Sequence, residues 1–161
     1  MPSLVDFNKM SVKDAEAELF RCCGSRRWAE QMAIFRPFPD EKALFTAAQR
    51  IWLKLTSEDW YEAFKQHPRI GGATKSAWTK QEQEGVKGAP PRVLESLKKG
   101  NEAYEKKFGF IFLVCATGKT AKEMSVILKE RLQNDPRTEL GVAVREQAKI
   151  VKIRLEKMLQ S

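Results

Sequence analysis

The sequence holds one histidine, three cysteines and no long apolar run. Each scarcity excludes something. There is no second histidine, so a Cys–His or Ser–His hydrolase would have to use His67. Cys22, Cys23 and Cys115 are odd in number and two of them are adjacent, which does not read as a disulfide framework. No CxxC pair or His–Cys cluster has zinc-site spacing, so no metal site is expected. Such cysteine usage points to a reducing, cytoplasmic setting. No stretch approaches the ~20 apolar residues of a membrane span, so no membrane partner is expected. MPSLVDFNKM lacks the basic then apolar order of a signal peptide, and KMLQS is not a peroxisomal SKL-type address. Walker, GxGxxG and GxSxG motifs are missing as well, so no cofactor is expected.

What is present is ordinary in bulk. A chain of 161 residues, 42% hydrophobic, fits one domain over residues 1–161 with a core large enough to need no disulfide or metal. The formal net charge is +8, from 29 Lys and Arg against 21 Asp and Glu. Stretches such as KERLQNDPRTEL interleave the two signs. That reads as solvated helix faces rather than a nucleic-acid arm, and a basic surface also suits a small anionic substrate.

Helical signals dominate, giving an all-α, compact bundle of about eight helices. Ser11 caps the first, with Val12, Ala15 and Leu19 inward. A second covers Trp28 to Ile34 and ends before Pro37. Asp40 opens a third, with Leu44, Ala48, Ile51, Trp52 and Leu55 at helical spacing. Ser57 opens a fourth, to about Gln66. Pro68 then pushes His67 out of the α region, to or beyond that helix end. The stretch HPRIGGATKSAW reads as a loop in which Gly71 and Gly72 permit unusual backbone angles. Thr79 starts a short helix, and Pro90 and Pro91 precede one with Val93, Leu94, Leu97, Tyr104 and Phe108 inward. FGFIFLVCA is a strand or a buried helix start by pattern. With no second strand to pair with, a buried extended segment is the better reading. Thr120 caps the next helix, and Thr138 starts the last, with Leu140, Val144, Val151, Leu155 and Leu159 on one face.

A few residues could carry chemistry. His67 titrates near neutral pH, so it can take or give a proton, although a helix-end histidine can also be merely structural. Thr79-Lys80-Gln81-Glu82 has the form of a capping box, and the cap is the favoured reading from pattern alone. A helix start there would otherwise offer free N–H groups to an anion, with Glu82 and Gln83 facing the same site. Phe112 to Ala116 is simple core by composition. If it is extended, its backbone groups need partners that an amide-rich heterocycle could supply. Arg154, among Ile153 and Leu155, is either solvated, ion-paired or a clamp for a carboxylate. Cys115 has no partner to make it a nucleophile.

Taken together these residues resemble the 2-oxo-4-hydroxy-4-carboxy-5-ureidoimidazoline (OHCU) decarboxylase family. The resemblance runs over almost the whole chain: Asn8; Trp28 with Arg36-Pro37-Phe38; His67-Pro68-Arg69-Ile70-Gly71; Trp78-Thr79-x-x-Glu82-Gln83-x-Gly85. It continues through Lys107-Phe108-Gly109-Phe110 and FLVCATGKT to Glu146, Lys149-Ile150 and Arg154-Leu155. It implies an all-α fold, a homodimer and no cofactor, with decarboxylation of the ureidoimidazoline to (S)-allantoin in urate degradation. It also implies His67 and Glu82 as the catalytic residues. The implied substrate contacts are Pro68, Thr79, Lys80, Gln81, Glu82, Gln83, Phe112, Leu113, Val114, Cys115, Ala116 and Arg154. Thr79 stands where the family often has serine; the hydroxyl is kept and a methyl is added. Two other readings remain. One is an inactive binding protein of the same fold, against which His67 and Glu82 argue. The other is a basic nucleic-acid-binding protein, which would need its cations clustered on one helix face.

Overall fold

Short polar side chains set where the helices begin. Ser3, Ser11, Ser25, Asp40, Thr56, Ser76 and Thr120 each accept a hydrogen bond from the backbone N–H three residues on. Each bond satisfies one donor that a helix start leaves without an intrahelical partner. The computed structural model describes residues 3–72 and 76–160. Gly72 is the last described residue of the first run, so Ala73 to Lys75 of the expected loop lie outside the described residues. Among the described residues there are nine α-helices, one 3₁₀ turn and no strand, and the protein is all-α.

The chain divides into two units, residues 1–66 with 148–161, and residues 67–147. The first holds α1 (Leu4–Lys9), α2 (Val12–Cys22), α3 (Arg26–Ile34), α4 (Glu41–Leu53) and α5 (Ser57–Lys65). Its core is built on Phe7, Leu19, Trp28, Met32, Leu44, Trp52 and Phe64, with Leu155 and Met158 from the end of the chain. Trp28 donates from its indole to the Ala48 carbonyl at 3.1 Å, so a fully buried ring keeps its polar handle satisfied. Arg36 donates to the carbonyls of Phe7 and Met10 at 2.7 and 2.9 Å. Asn8 exchanges two hydrogen bonds with the backbone of Phe38, which follows a cis Arg36–Pro37 bond.

The second unit holds α6 (Ala77–Glu82), the 3₁₀ turn Glu84–Val86, α7 (Pro91–Phe108) and α8 (Ala121–Arg131). The last helix, α9 (Pro136–Met158), contributes its residues up to 147 to this unit and the rest to the first. Ile70, Leu97, Tyr104, Phe112, Val114, Met124 and Leu128 form one apolar cluster. Residues 111–116 have no regular secondary structure, and Phe112 to Ala116 are buried, so this is the buried extended segment that the pattern indicates. A left-handed Gly109 at the end of α7 leads the chain toward it.

Several expectations are corrected. Ser11 caps α2, because α1 precedes it with its own Ser3–Asp6 capping box. Val12 is 55% exposed and belongs to no core. Helix α5 does open at Ser57, with Thr56 as its cap, whereas α9 begins at Pro136 and not at Thr138, with the Asp135 side chain accepting from the N–H of Thr138. Leu94 is exposed on α7, while Leu97 and Tyr104 are buried.

Candidate active site

Four anchors fix the loop that carries His67, all within the second unit. Arg69 makes a two-pronged ion pair with Glu105 of α7, at 2.7 and 2.9 Å. Ile70 is buried in the apolar cluster, and its carbonyl accepts from Asn101 of α7 at 3.2 Å. The N–H of Gly71 donates to the Gln83 side chain at 2.9 Å. At the loop's start, His67 Nε2 lies 2.7 Å from Oε1 of Gln147 on α9. Gly71 has φ +81°, a left-handed conformation that L side chains rarely adopt, so the glycine is needed for the turn itself. His67 is half-buried just past the end of α5, in keeping with the proline that follows it.

The capping-box reading of Thr79 and Glu82 is corrected. Ser76 is the N-cap of α6 and its side chain accepts from Thr79 N. Thr79 is therefore the third helical residue and Glu82 the last. The N–H groups of Thr79 and Lys80 are bonded to Ser76 and that of Gln83 to the Thr79 carbonyl, so Thr79 lies inside the helix and does not start it. The sequence misleads because SAWTKQE holds two hydroxyls three residues apart, and either could cap. Thr79 is 4% and Glu82 8% exposed, against the solvent-facing Lys80 and Gln81. Burial of a carboxylate is costly unless it is paired or hydrogen-bonded. Gly85, just beyond, has its backbone against Lys119: a Cβ there would sit 1.8 Å from the Lys119 carbonyl oxygen.

The extended segment is held through its backbone, as polar groups in a buried irregular stretch must be. Cys115 N–H donates to Glu146 Oε1 at 3.0 Å, and the Cys115 carbonyl accepts from Lys119 at 2.7 Å. The Leu113 carbonyl accepts from Arg131, which is buried in an ion pair with Glu139, itself bonded to Tyr104. Burial pushes the Cys115 thiol up, and the carboxylates of Glu146 and Glu82 add to this against the lowering effect of Lys119. The thiol therefore stays protonated and is no nucleophile. Of this segment, Cys115 is within electrostatic reach of the Glu82 carboxylate.

Adjacent residues of α9, Glu146 and Gln147, thus reach the two stretches expected to meet substrate. Gln147 was not singled out from sequence, and Glu146 entered only through the resemblance. One signal was available: Gln147 falls on the stripe Leu140, Val144, Val151 and Leu155, where a polar residue interrupts an apolar face. Arg154 lies in the first unit, buried, and donates to the Arg21 carbonyl at 3.5 Å. Among the described residues no group of three or more His, Cys, Asp or Glu could hold a metal ion, and no helix is long and apolar enough to cross a membrane.

Residues 8–156 match the family model for OHCU decarboxylase. The chain is 35% identical over 157 residues to the uric acid degradation bifunctional protein TTL of Arabidopsis thaliana, covering 92% of this chain and 48% of that protein. It is 25% identical over 136 residues to the 2-oxo-4-hydroxy-4-carboxy-5-ureidoimidazoline decarboxylase of Halalkalicoccus jeotgali, covering 83% of this chain and 74% of that one. Among solved structures it resembles an OHCU decarboxylase crystallised in the presence of (S)-allantoin. The TM-score is 0.79 at 37% identity, over 89% of this chain and 98% of that chain. An (S)-allantoin synthase shares the fold, with a TM-score of 0.75 at 20% identity, over 98% of this chain and 54% of that chain. The chain spans a third to about half of the bifunctional relatives it matches, 48%, 33% and 32% of their lengths.

Proposed function

Because the chain belongs to the OHCU decarboxylase family, we propose that it decarboxylates 2-oxo-4-hydroxy-4-carboxy-5-ureidoimidazoline to (S)-allantoin in urate degradation. The observation that carries this reading is the one histidine, held on a multiply anchored loop and bonded to a buried carboxamide. A ring placed so firmly suits acid–base work in which geometry matters. The match over residues 8–156 runs through both units and supports one functional domain. We also take the protein to be a cytoplasmic homodimer.

The substrate carries its own electron sink, which makes a cofactor unnecessary. Its carboxylate sits on a ring carbon that bears a hydroxyl and lies next to a ring C=N. As the bond to CO2 breaks, its electron pair forms a carbon–carbon double bond and the C=N pair moves to nitrogen, which takes a proton. The hydroxyl then loses its proton to become the carbonyl, and the neighbouring carbon gains one. What remains for the protein is orientation, desolvation and proton placement. His67 would take the hydroxyl proton or deliver the new one. Glu82 would hold the hydroxyl or an N–H, and Arg154 would clamp the carboxylate. Pro68, Thr79 to Gln83 and Phe112 to Ala116 would line the substrate. Delivery of the proton to one face gives one enantiomer.

The test is turnover of freshly generated substrate, followed as CO2 release. Release well above the spontaneous rate is expected. Release at the spontaneous rate, from protein that is folded by its unfolding transition, would leave an inactive binding protein of the same fold.

A further inference from the structure

We infer that Gln147 is the positioning residue of His67: its buried side-chain oxygen accepts from Nε2–H, which fixes the tautomer with the basic lone pair of the neutral ring on Nδ1. The inference rests on the reading of His67 as the acid–base group.

Gln147 is fully buried on α9. Among the described residues its side chain makes one hydrogen bond, Oε1 to His67 Nε2 at 2.7 Å, across 80 residues of sequence. Its amide nitrogen has no partner there. A buried carboxamide that uses half of its capacity is unfavourable compared with an apolar side chain of the same shape. Methionine would fill the position without leaving a polar group unsatisfied. The side chain's stabilising role is thus confined to the imidazole, and 2.7 Å is at the short end for an N–H···O bond. An amide oxygen can accept from Nε2–H whether the ring is neutral or protonated, so the bond persists through a catalytic cycle at the other nitrogen. The loop anchors at Arg69, Ile70 and Gly71 hold the backbone, and the Gln147 bond restrains the rotation of the ring.

His67 is the only histidine, so its ring nitrogens and protons can be read in the intact protein without ambiguity. The experiment is nitrogen-15 NMR of the imidazole at neutral pH in wild type, Gln147→Met and Gln147→Glu, beside kcat of the first two. The wild type should show the Nε2–H tautomer, with that proton slow enough in exchange to be seen. In Gln147→Met the proton signal should be lost and kcat should fall about 10–10²-fold, the scale of a small misplacement. Gln147→Glu, which keeps an acceptor oxygen, should restore the signal. A wild-type Nδ1–H tautomer would overturn the inference, and so would an Nε2–H signal that survives in Gln147→Met. The NMR needs no substrate, so its failure is distinct from that of the decarboxylase reading, which His67→Asn tests by turnover.

Discussion

At His67 the ring is held by Gln147 and the backbone by its neighbours, so replacing the side chain should alter chemistry far more than folding. His67→Asn should lower kcat by about 10²–10⁴. It should cost about 1 kcal/mol of stability, because the shorter side chain leaves the Gln147 oxygen without its donor. Turnover near wild type would remove His67 from the acid–base role. Glu82 is the last residue of α6, and Glu82→Gln keeps the shape and removes the charge. A fall in kcat of about 10² with an unchanged unfolding temperature is expected if the carboxylate holds substrate. Unchanged kcat would give Glu82 a purely structural part. For Arg154→Ala we expect a raised KM with little change in kcat, the pattern of lost uniform binding. A lower unfolding temperature with the same KM would give the arginine a structural part, in which its bond to the Arg21 carbonyl shares.

The short helix α6 gives a direct test of where the chain turns helical. Ser76→Ala removes the cap and should cost about 1 kcal/mol, whereas Thr79→Val, at the third helical position, should not cost a cap. Equal losses in chemical denaturation would mean that both hydroxyls act on the helix start. This element also marks the limit of what the sequence made legible. Asp40 was readable as a helix start because it is a lone capping residue ahead of an apolar period, and Thr120 because Glu123 follows it in a capping box. His67 at a helix end was readable because Pro68 restricts the residue before it. FGFIFLVCA was readable as buried and extended for want of a second strand. The start of α6 was not, because Ser76 and Thr79 satisfy the same local rule and burial of Thr79 decides between them. Helix α1 was missed although Ser3 and Asp6 form a capping box, since six residues hold little periodicity. Gln147 was hidden for a different reason: its one partner lies 80 residues away, and no local pattern announces such a contact.

For the whole molecule, composition set class and not activity. The scattered charges, the three cysteines and the mixed hydropathy suit many helical proteins. Cys22, Cys23 and Cys115 are buried and in no disulfide, and burial raises the thiols of Cys22 and Cys115 above their ordinary range. No thiol should react with a disulfide reagent in the native protein at neutral pH, and three should react in denaturant; a fast native thiol would contradict this burial. The match over residues 8–156 shows the family, and the proposed activity rests on a small set of side chains. The most direct test of the central claim is the optical rotation of the allantoin formed from freshly generated substrate, with wild type and with His67→Asn. The account predicts one enantiomer, (S), from the wild type. From the variant it predicts turnover slower by about 10²–10⁴ and allantoin shifted toward the racemate, because the share formed in free solution is protonated on both faces. Racemic allantoin from the wild type, or (S)-allantoin formed equally fast by His67→Asn, would contradict it.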